Sequence, residues 1–208
     1  MNKMKEATDV FSDWATTGRD EGMEKGHSAA VTEMLEVAVP KLTKPFTAID
    51  IGCGNGWVVR KLATLGASHA EGIDGAEEMI MKARKIDPNG IYHHALLPEW
   101  IPEKKFDLVH SMEFLYYLKQ PQKMLAMIHD EWLEKDGWLV AGVDHYQEHE
   151  ASLEWSTRLN VHMTTMTIDE WKSAMQKAGF QHIKVWQTAG KENLPGTLSM
   201  LGQKAAYS

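Results

Sequence analysis

The sequence predicts a doubly wound α/β sheet, and three observations carry that reading. Short apolar runs alternate with amphipathic segments from residue 46 onward. The first run, Ala48-Ile49-Asp50-Ile51, passes directly into the alternating glycines Gly52, Gly54 and Gly56. The last two strand-like runs, residues 182–187 and 197–203, are separated only by a loop rich in turn residues. Alternating strands and helices build a parallel sheet covered on both faces, and two successive strands without a helix between them close it as an antiparallel pair.

The elements follow in order. The first forty residues are polar and helical in pattern, and in the run 28–39 Val31, Met34, Leu35 and Ala38 recur at helical spacing and should pack on the core. Pro40 and Pro45 punctuate the approach to the first strand. Residues 48–51 are too short and too apolar for anything but a buried strand. After the glycines, Val58, Val59, Leu62, Ala63 and Leu65 form the stripe of a helix that Gly66 stops. A second strand, 70–74, ends at Asp74, and a helix from residue 77 to about 85 runs into the turn Asp87-Pro88-Asn89-Gly90. Residues 91–95 are the third strand. Pro121 opens a helix with Met124, Leu125, Ile128 and Trp132 on one face. The turn Asp136-Gly137 precedes a strand over 138–143. Thr167-Ile168-Asp169-Glu170 reads as a capping box, heading a helix that runs to Ala178 and stops at Gly179.

The 208 residues suit one domain, 1–208, with enough length to bury a full core. Hydrophobic residues at 43% and charged residues at 25% are an ordinary globular mixture. A net charge of −7 argues against a nucleic-acid partner, whose footprint is a basic patch. The single cysteine, Cys53, excludes an intramolecular disulfide and a cysteine-rich zinc site, and its place among the glycines fits a small structural side chain. With no apolar stretch of about 18 residues and no signal-peptide pattern, no membrane partner and a cytoplasmic location are expected. Monomer and homodimer are both left open.

The glycines and Asp74 together describe a nucleoside site. Glycine at every second position lets the backbone turn tightly and approach a ligand with no Cβ between. An acid at the end of the next strand, about 20 residues on, is the usual partner of a ribose. A dinucleotide is a poor fit, because G-x-G-x-x-G needs glycine at position 57 or 59 and the chain has Trp57 and Val59 there.

The form D-x-G-x-G-x-G, Asp50 to Gly56, resembles the first motif of class I S-adenosylmethionine-dependent methyltransferases. Segments 72–80, 106–115 and 138–143 resemble that family's second, fourth and fifth strands, so the likeness covers roughly residues 46–204. It implies a Rossmann-like seven-stranded sheet, order 3-2-1-4-5-7-6 with strand 7 antiparallel, and S-adenosyl-L-methionine as cofactor. On this resemblance Gly52, Cys53, Gly54 and Gly56 underlie the methionine and ribose, and Asp50 is oriented toward the amino-acid end. Asp74, with Gly75 beside it, receives the ribose hydroxyls. The family's adenine positions fall at His94 and Ala95, with the backbone of Ala95 and Leu96 at the ring. Ser111 turns its carbonyl to the methionine end. Residues 111–118 resemble the matching segment of ubiquinone-biosynthesis O-methyltransferases, but Tyr116-Tyr117 stand where many of those carry Glu-His, so neither their substrate nor a metal carries over.

Methyl transfer from a sulfonium is an in-line displacement whose activation the donor supplies, so the protein has to align the acceptor and exclude water. A base is required only for an acceptor that must lose a proton. His145 and Tyr146, just after the fifth strand, are the candidates for that role. Glu113, Tyr116, Trp155 and His162 are expected near the acceptor, with Trp14 and Arg19 closing a lid in an N-terminal segment, 1–45, that precedes the core. His145 and His149 are four apart but lack the H-E-x-x-H arrangement, so no metal is expected. The leading reading is a methyltransferase for a small organic acceptor. Its alternatives are a nucleoside-binding module without turnover and a protein methyltransferase. A nucleotide-dependent oxidoreductase is disfavoured by the glycine spacing, and the Asn/Asp-Pro-Pro-Tyr/Phe signature of nucleobase amino methylases is absent after the fourth strand.

Overall fold

The computed structural model describes residues 3–190 and 195–206. Four residues of the turn-rich loop expected between the last two strands, 191–194, lie outside the described residues. The chain runs α1 (Ala7–Thr17), α2 (Glu21–Ala38), β1 (Phe46–Ile51), α3 (Trp57–Thr64), β2 (Ala67–Asp74), α4 (Glu77–Ile86), β3 (Ile91–His94), β4 (Phe106–Met112), α5 (Pro121–Met127), β5 (Leu133–Val143), α6 (Trp155–Leu159), α7 (Ile168–Lys177), β6 (Gln181–Thr188) and β7 (Thr197–Gln203). The seven strands form one sheet in the order β3-β2-β1-β4-β5-β7-β6, with β7 antiparallel to both neighbours, as the resemblance implies.

Alternation along each strand sends side chains to two packed layers. Ala48, Leu108 and Val140 face α2 and α3, where Val31, Met34, Leu35, Ala38, Val58 and Leu62 are buried as their spacing required. Ile49, Ile51, Val109, Leu139 and Ala141 face the other way, toward α5 and α7. Met124, Leu125, Ile128 and Trp132 are all buried on that side, although the helix they were expected to share ends at Met127 and continues as a π-helical turn, Ile128–Trp132. Burying each such side chain contributes about 1.5–3 kcal/mol. Thr167 caps α7 as read: its hydroxyl accepts from the Glu170 N–H, and the Glu170 carboxylate accepts from the Thr167 N–H.

Several boundaries moved. α2 begins a full two turns before residue 28, and Ala63 is exposed rather than part of the buried stripe of α3. The Asp136-Gly137 turn is absorbed into β5 as an irregularity, for Phe106 pairs with Leu133 while Leu108 pairs with Trp138. Asp136 takes the left-handed conformation there, at φ 63°. β1 pairs in parallel with β2 on one side and β4 on the other, so the chain order reverses at its carboxyl end. Open α/β sheets leave a ligand crevice at that reversal.

Candidate functional site

A cavity of ≈1020 Å³ opens at the carboxyl ends of β1, β2, β3 and β4. Gly52, Gly54, Asp74 and Gly75 form one end of it, the segment after β4 and α6 line the rest, and α1 spans both, its Thr8 lying against Gly75. α1 packs against α4 and so lies over the strand ends.

The glycine loop is fixed by its own hydrogen bonds. The Gly52 and Cys53 N–H groups donate to the Ile73 carbonyl at 2.9 and 3.0 Å. Gly54 N–H donates to Asp74 Oδ2 at 2.9 Å, and Ala76 N–H to Asp74 Oδ1 at 2.8 Å. Each carboxylate oxygen keeps a second lone pair for a ligand hydroxyl. Burial pushes the Asp74 carboxyl up; the two N–H donors oppose that, and the Asp50 charge adds to it. Gly54, at φ 52°, has a Cβ-free face on the cavity, its nearest neighbour there being Met23 Cε at 3.6 Å from the missing Cβ. Gly56 differs: it does not border the cavity, and a Cβ on it would meet the Tyr92 ring at 2.4 Å. It serves the packing of the loop on β3, which corrects its expected place beside the cofactor.

The remaining expected cofactor positions divide. Asp50 is buried and hydrogen-bonded to His110 Nδ1 at 2.6 Å. It also borders a recess of ≈20 Å³ that Cys53 and Gly52 share with Met23, His27 and Glu113. Burial pushes the Cys53 thiol well up, so it is an inert packing group. Leu96 reaches the cavity. Ala95 and Ser111 do not line it; Ala95 N–H is bonded to the Asp74 carbonyl, and the Ser111 hydroxyl donates to the Ile51 carbonyl at 3.2 Å.

At the other end the lining is aromatic. Trp14, Tyr116, Trp155 and His162 all border the cavity as expected, with Phe11 and Tyr117 between them. Phe11 meets Trp14 and Tyr117 edge-on, each at 5.3 Å between centroids. Glu113, at the tip of β4, adopts a left-handed φ of 57°. It accepts from the Tyr116 hydroxyl at 2.7 Å and from the Asp144 N–H at 2.5 Å. Burial and then the Asp144 charge push its carboxyl well above the usual range.

Three expected residues are elsewhere. Arg19 is exposed and away from the cavity, because the αL turn at Gly18 swings it outward; its neighbour Asp20 points in instead. His145 is buried between the Ser152 carbonyl at 3.0 Å and Thr165 Oγ1 at 2.7 Å. Tyr146 is buried with its hydroxyl donating to the Gly196 carbonyl at 3.0 Å and accepting from Gln187 Nε2 at 2.9 Å. Neither lines the cavity. Both polar groups are satisfied by structural partners rather than turned to the cavity.

The sequence reading missed a cluster that bridges the two ends. His27, Glu113 and Asp144 place one ligand-type atom each within 4.8 Å of one another, and His27 Nδ1 stands 3.6 Å from Asp144 Oδ2. Met23 and His27 precede Ala30, Val31 and Met34 at continuing helical spacing, a signal hidden when α2 is started at residue 28.

A family model described as a methyltransferase domain matches residues 23–185. The chain is 34% identical over 100 residues to the tRNA U34 carboxymethyltransferase of Shewanella sediminis, spanning 45% of this chain and 30% of that protein. It is 35% identical over 88 residues to the ubiquinone biosynthesis O-methyltransferase of Aromatoleum aromaticum, spanning 38% and 36%. The matches thus cover about a third of each relative's length. Among solved structures, a chain of the complex between the Haloferax volcanii Trm112 methyltransferase activator and a methyltransferase superposes with a TM-score of 0.81 at 25% identity, over 94% of this chain and 97% of that one. The N-methyltransferase NodS of Bradyrhizobium japonicum, in complex with S-adenosyl-L-homocysteine, superposes with a TM-score of 0.67 at 18% identity, over 83% and 84%.

Proposed function

The chain belongs to the methyltransferase domain family, and on that premise we propose that it transfers a methyl group from S-adenosyl-L-methionine to a small organic acceptor. The observation that carries this reading is the cavity itself, with a glycine loop and a half-buried carboxylate at one end and an aromatic wall at the other. The donor fits the first end: Gly54 leaves a Cβ-sized space beside the loop, and Asp74 offers a lone pair on each oxygen. Gly52, Gly54, Asp74 and Gly75 would hold the nucleoside, Leu96 would border the adenine, and Asp50 would face the amino-acid end. The sulfonium supplies the activated methyl group.

The chain's own part is alignment. Trp14, Tyr116, Tyr117 and Trp155 would clasp the acceptor and exclude water, which makes the displacement effectively unimolecular. The net charge of −7 and the aromatic lining of the cavity support a small acceptor over a nucleic acid, although two of the relatives are tRNA- and quinone-directed enzymes by name. Among the described residues no helix is long and apolar enough to cross a membrane.

The test is calorimetric titration of S-adenosylmethionine into the wild type and Asp74→Ala, followed by labelled-methyl transfer to a panel of phenols, amines and carboxylates. Binding that weakens at least tenfold in the variant, with transfer to a panel member, supports the proposal. A folded wild type that binds no donor defeats it, and donor binding without any transfer leaves a nucleoside-binding module.

A further inference from the structure

We infer that His27, oriented by Asp144, is the general base of this site, and that the acceptor is one that must lose a proton, a hydroxyl compound such as a phenol. The inference rests on the reading of the cavity given above. Among the described residues two histidines border the cavity, His27 and His162. His162 donates from Nε2 to Thr164 Oγ1 at 2.9 Å, since that hydroxyl gives its own proton to the Leu118 carbonyl at 2.7 Å, but among the described residues no carboxylate pairs with its ring to orient it. His27 borders both the main cavity and the recess under Gly52, with Asp144 beside its ring.

Asp144 is fixed for the task of orienting it. Its Oδ1 accepts from the Thr197 hydroxyl at 2.5 Å, and its own N–H is held by Glu113, which leaves Oδ2 facing His27 Nδ1 at 3.6 Å. A carboxylate at Nδ1 selects the tautomer with its proton there and leaves the Nε2 lone pair free. Separations of this size in an unliganded site shorten when the ligands are in place. Glu113, the other carboxylate at hand, positions the Tyr116 hydroxyl and the Asp144 N–H, one through each oxygen. Asp50, across the recess on β1, is engaged by His110. Burial outweighs the Asp144 attraction and holds the His27 imidazole below its ordinary range, hence neutral and able to accept a proton at neutral pH.

In the step, Nε2 takes the proton from the acceptor O–H while an oxygen lone pair forms the new O–C bond. The methyl carbon's bond to sulfur breaks, and its electron pair stays on sulfur as the donor's positive charge is lost. The imidazolium, stabilised by Asp144, then releases its proton to solvent. A carboxylate or phosphate acceptor is already ionised at neutral pH and would need none of this. General-base catalysis is worth about 10²–10⁴ in rate.

The test compares 4-nitrophenol, which ionises near neutrality unaided, with phenol, which does not, in wild type, His27→Gln and Asp144→Asn. The expected result is a loss of at least a hundredfold on phenol in His27→Gln and a change of only a few-fold on 4-nitrophenol. Asp144→Asn should fall between, with donor affinity within threefold of wild type in both variants. Equal losses on the two phenols overturn the inference. So does a tenfold loss of donor affinity in His27→Gln, which would put the pair at the donor's amino-acid end. Loss of transfer with EDTA and recovery with Mg²⁺ would make the three groups cation ligands instead, and likewise overturns it. The ¹⁵N ring shifts of His27 in the free protein decide independently of turnover. An Nδ1–H tautomer is expected, and an Nε2–H tautomer defeats the assignment even if the wild type methylates neither phenol, an outcome that would count against the acceptor class alone.

Discussion

Asp20 and Asn55 join the N-terminal helices to the glycine loop: Asn55 Nδ2 donates to Asp20 Oδ2 at 3.0 Å, while Lys82 Nζ on α4 reaches Asp20 Oδ1 at 2.8 Å. Asp20 is fully buried, so one carboxylate ties the corner between α1 and α2 to the residue between Gly54 and Gly56 and to the helix after β2. Asp20→Ala strands the buried amide of Asn55, a loss of about 1–3 kcal/mol, and frees the loop that would hold the donor. Thermal unfolding should show a lower midpoint and calorimetry a weaker donor affinity. Arg19→Ala, one residue away but exposed, should leave both measurements unchanged.

The glycines of one motif should fail in different ways. Gly54→Ala meets only ordinary contacts, so the cost is the left-handed backbone, about 1–2 kcal/mol, and the variant should fold. Its new methyl group points into the cavity beside Met23, so donor binding should drop by an order of magnitude or more. Gly56→Ala drives a Cβ to 2.4 Å from the Tyr92 ring. That variant should lose more stability than Gly54→Ala, because the rigid ring has to move and its hydroxyl's bond to Asp87 with it. Chemical denaturation of the two, with titration of whichever folds, separates packing from binding.

Most of the sheet was legible because its determinants are local. Apolar runs, glycine stops and a capping box at Thr167 each act within a few residues, and the strand order came with the family resemblance that the motifs carry. The acceptor end was not legible in the same way. His145 and Tyr146 sit on the right edge of the sheet, but whether a side chain there faces the cavity depends on what satisfies it. Here Ser152, in the loop that follows, and Thr165, Gly196 and Gln187, farther along the chain, turn both inward. His27 was missed for the converse reason: it belongs to a helix whose start carries no side-chain cap, since Asp20 is used by Asn55 and Lys82 rather than by the first turn.

Acid sensitivity should be centred on Glu71, on β2 well away from the cavity. Burial alone would raise its carboxyl, but hydrogen bonds from His69, His93 and Lys104 outweigh that and bring it down to about 2. His93 Nε2 lies 2.7 Å and Lys104 Nζ 2.9 Å from its oxygens. A carboxyl lowered on folding stabilises the fold above its unfolded value, about 4.3, and that contribution is lost as pH falls toward 2. The shift corresponds to about 3 kcal/mol. Melting temperatures measured from pH 6 down to pH 2 should fall steeply below about pH 4 in the wild type and less steeply in Glu71→Gln, which starts from a lower midpoint.

Tyr146→Phe tests whether the residue after β5 is structural. The hydroxyl connects that segment to the β6–β7 pair, donating to the Gly196 carbonyl and accepting from Gln187 Nε2 on β6. Its ring is fully buried against the core, and phenylalanine keeps that packing, so the cost is the two hydrogen bonds, about 1–3 kcal/mol together. Unfolding should come at lower denaturant with an unchanged slope. Because the hydroxyl faces β6 and β7 rather than the cavity, kcat and KM for methyl transfer should stay within twofold of wild type below the melting transition. A large fall in kcat at full folding would instead return Tyr146 to the chemistry, and would require the segment after β5 to turn over when the acceptor binds.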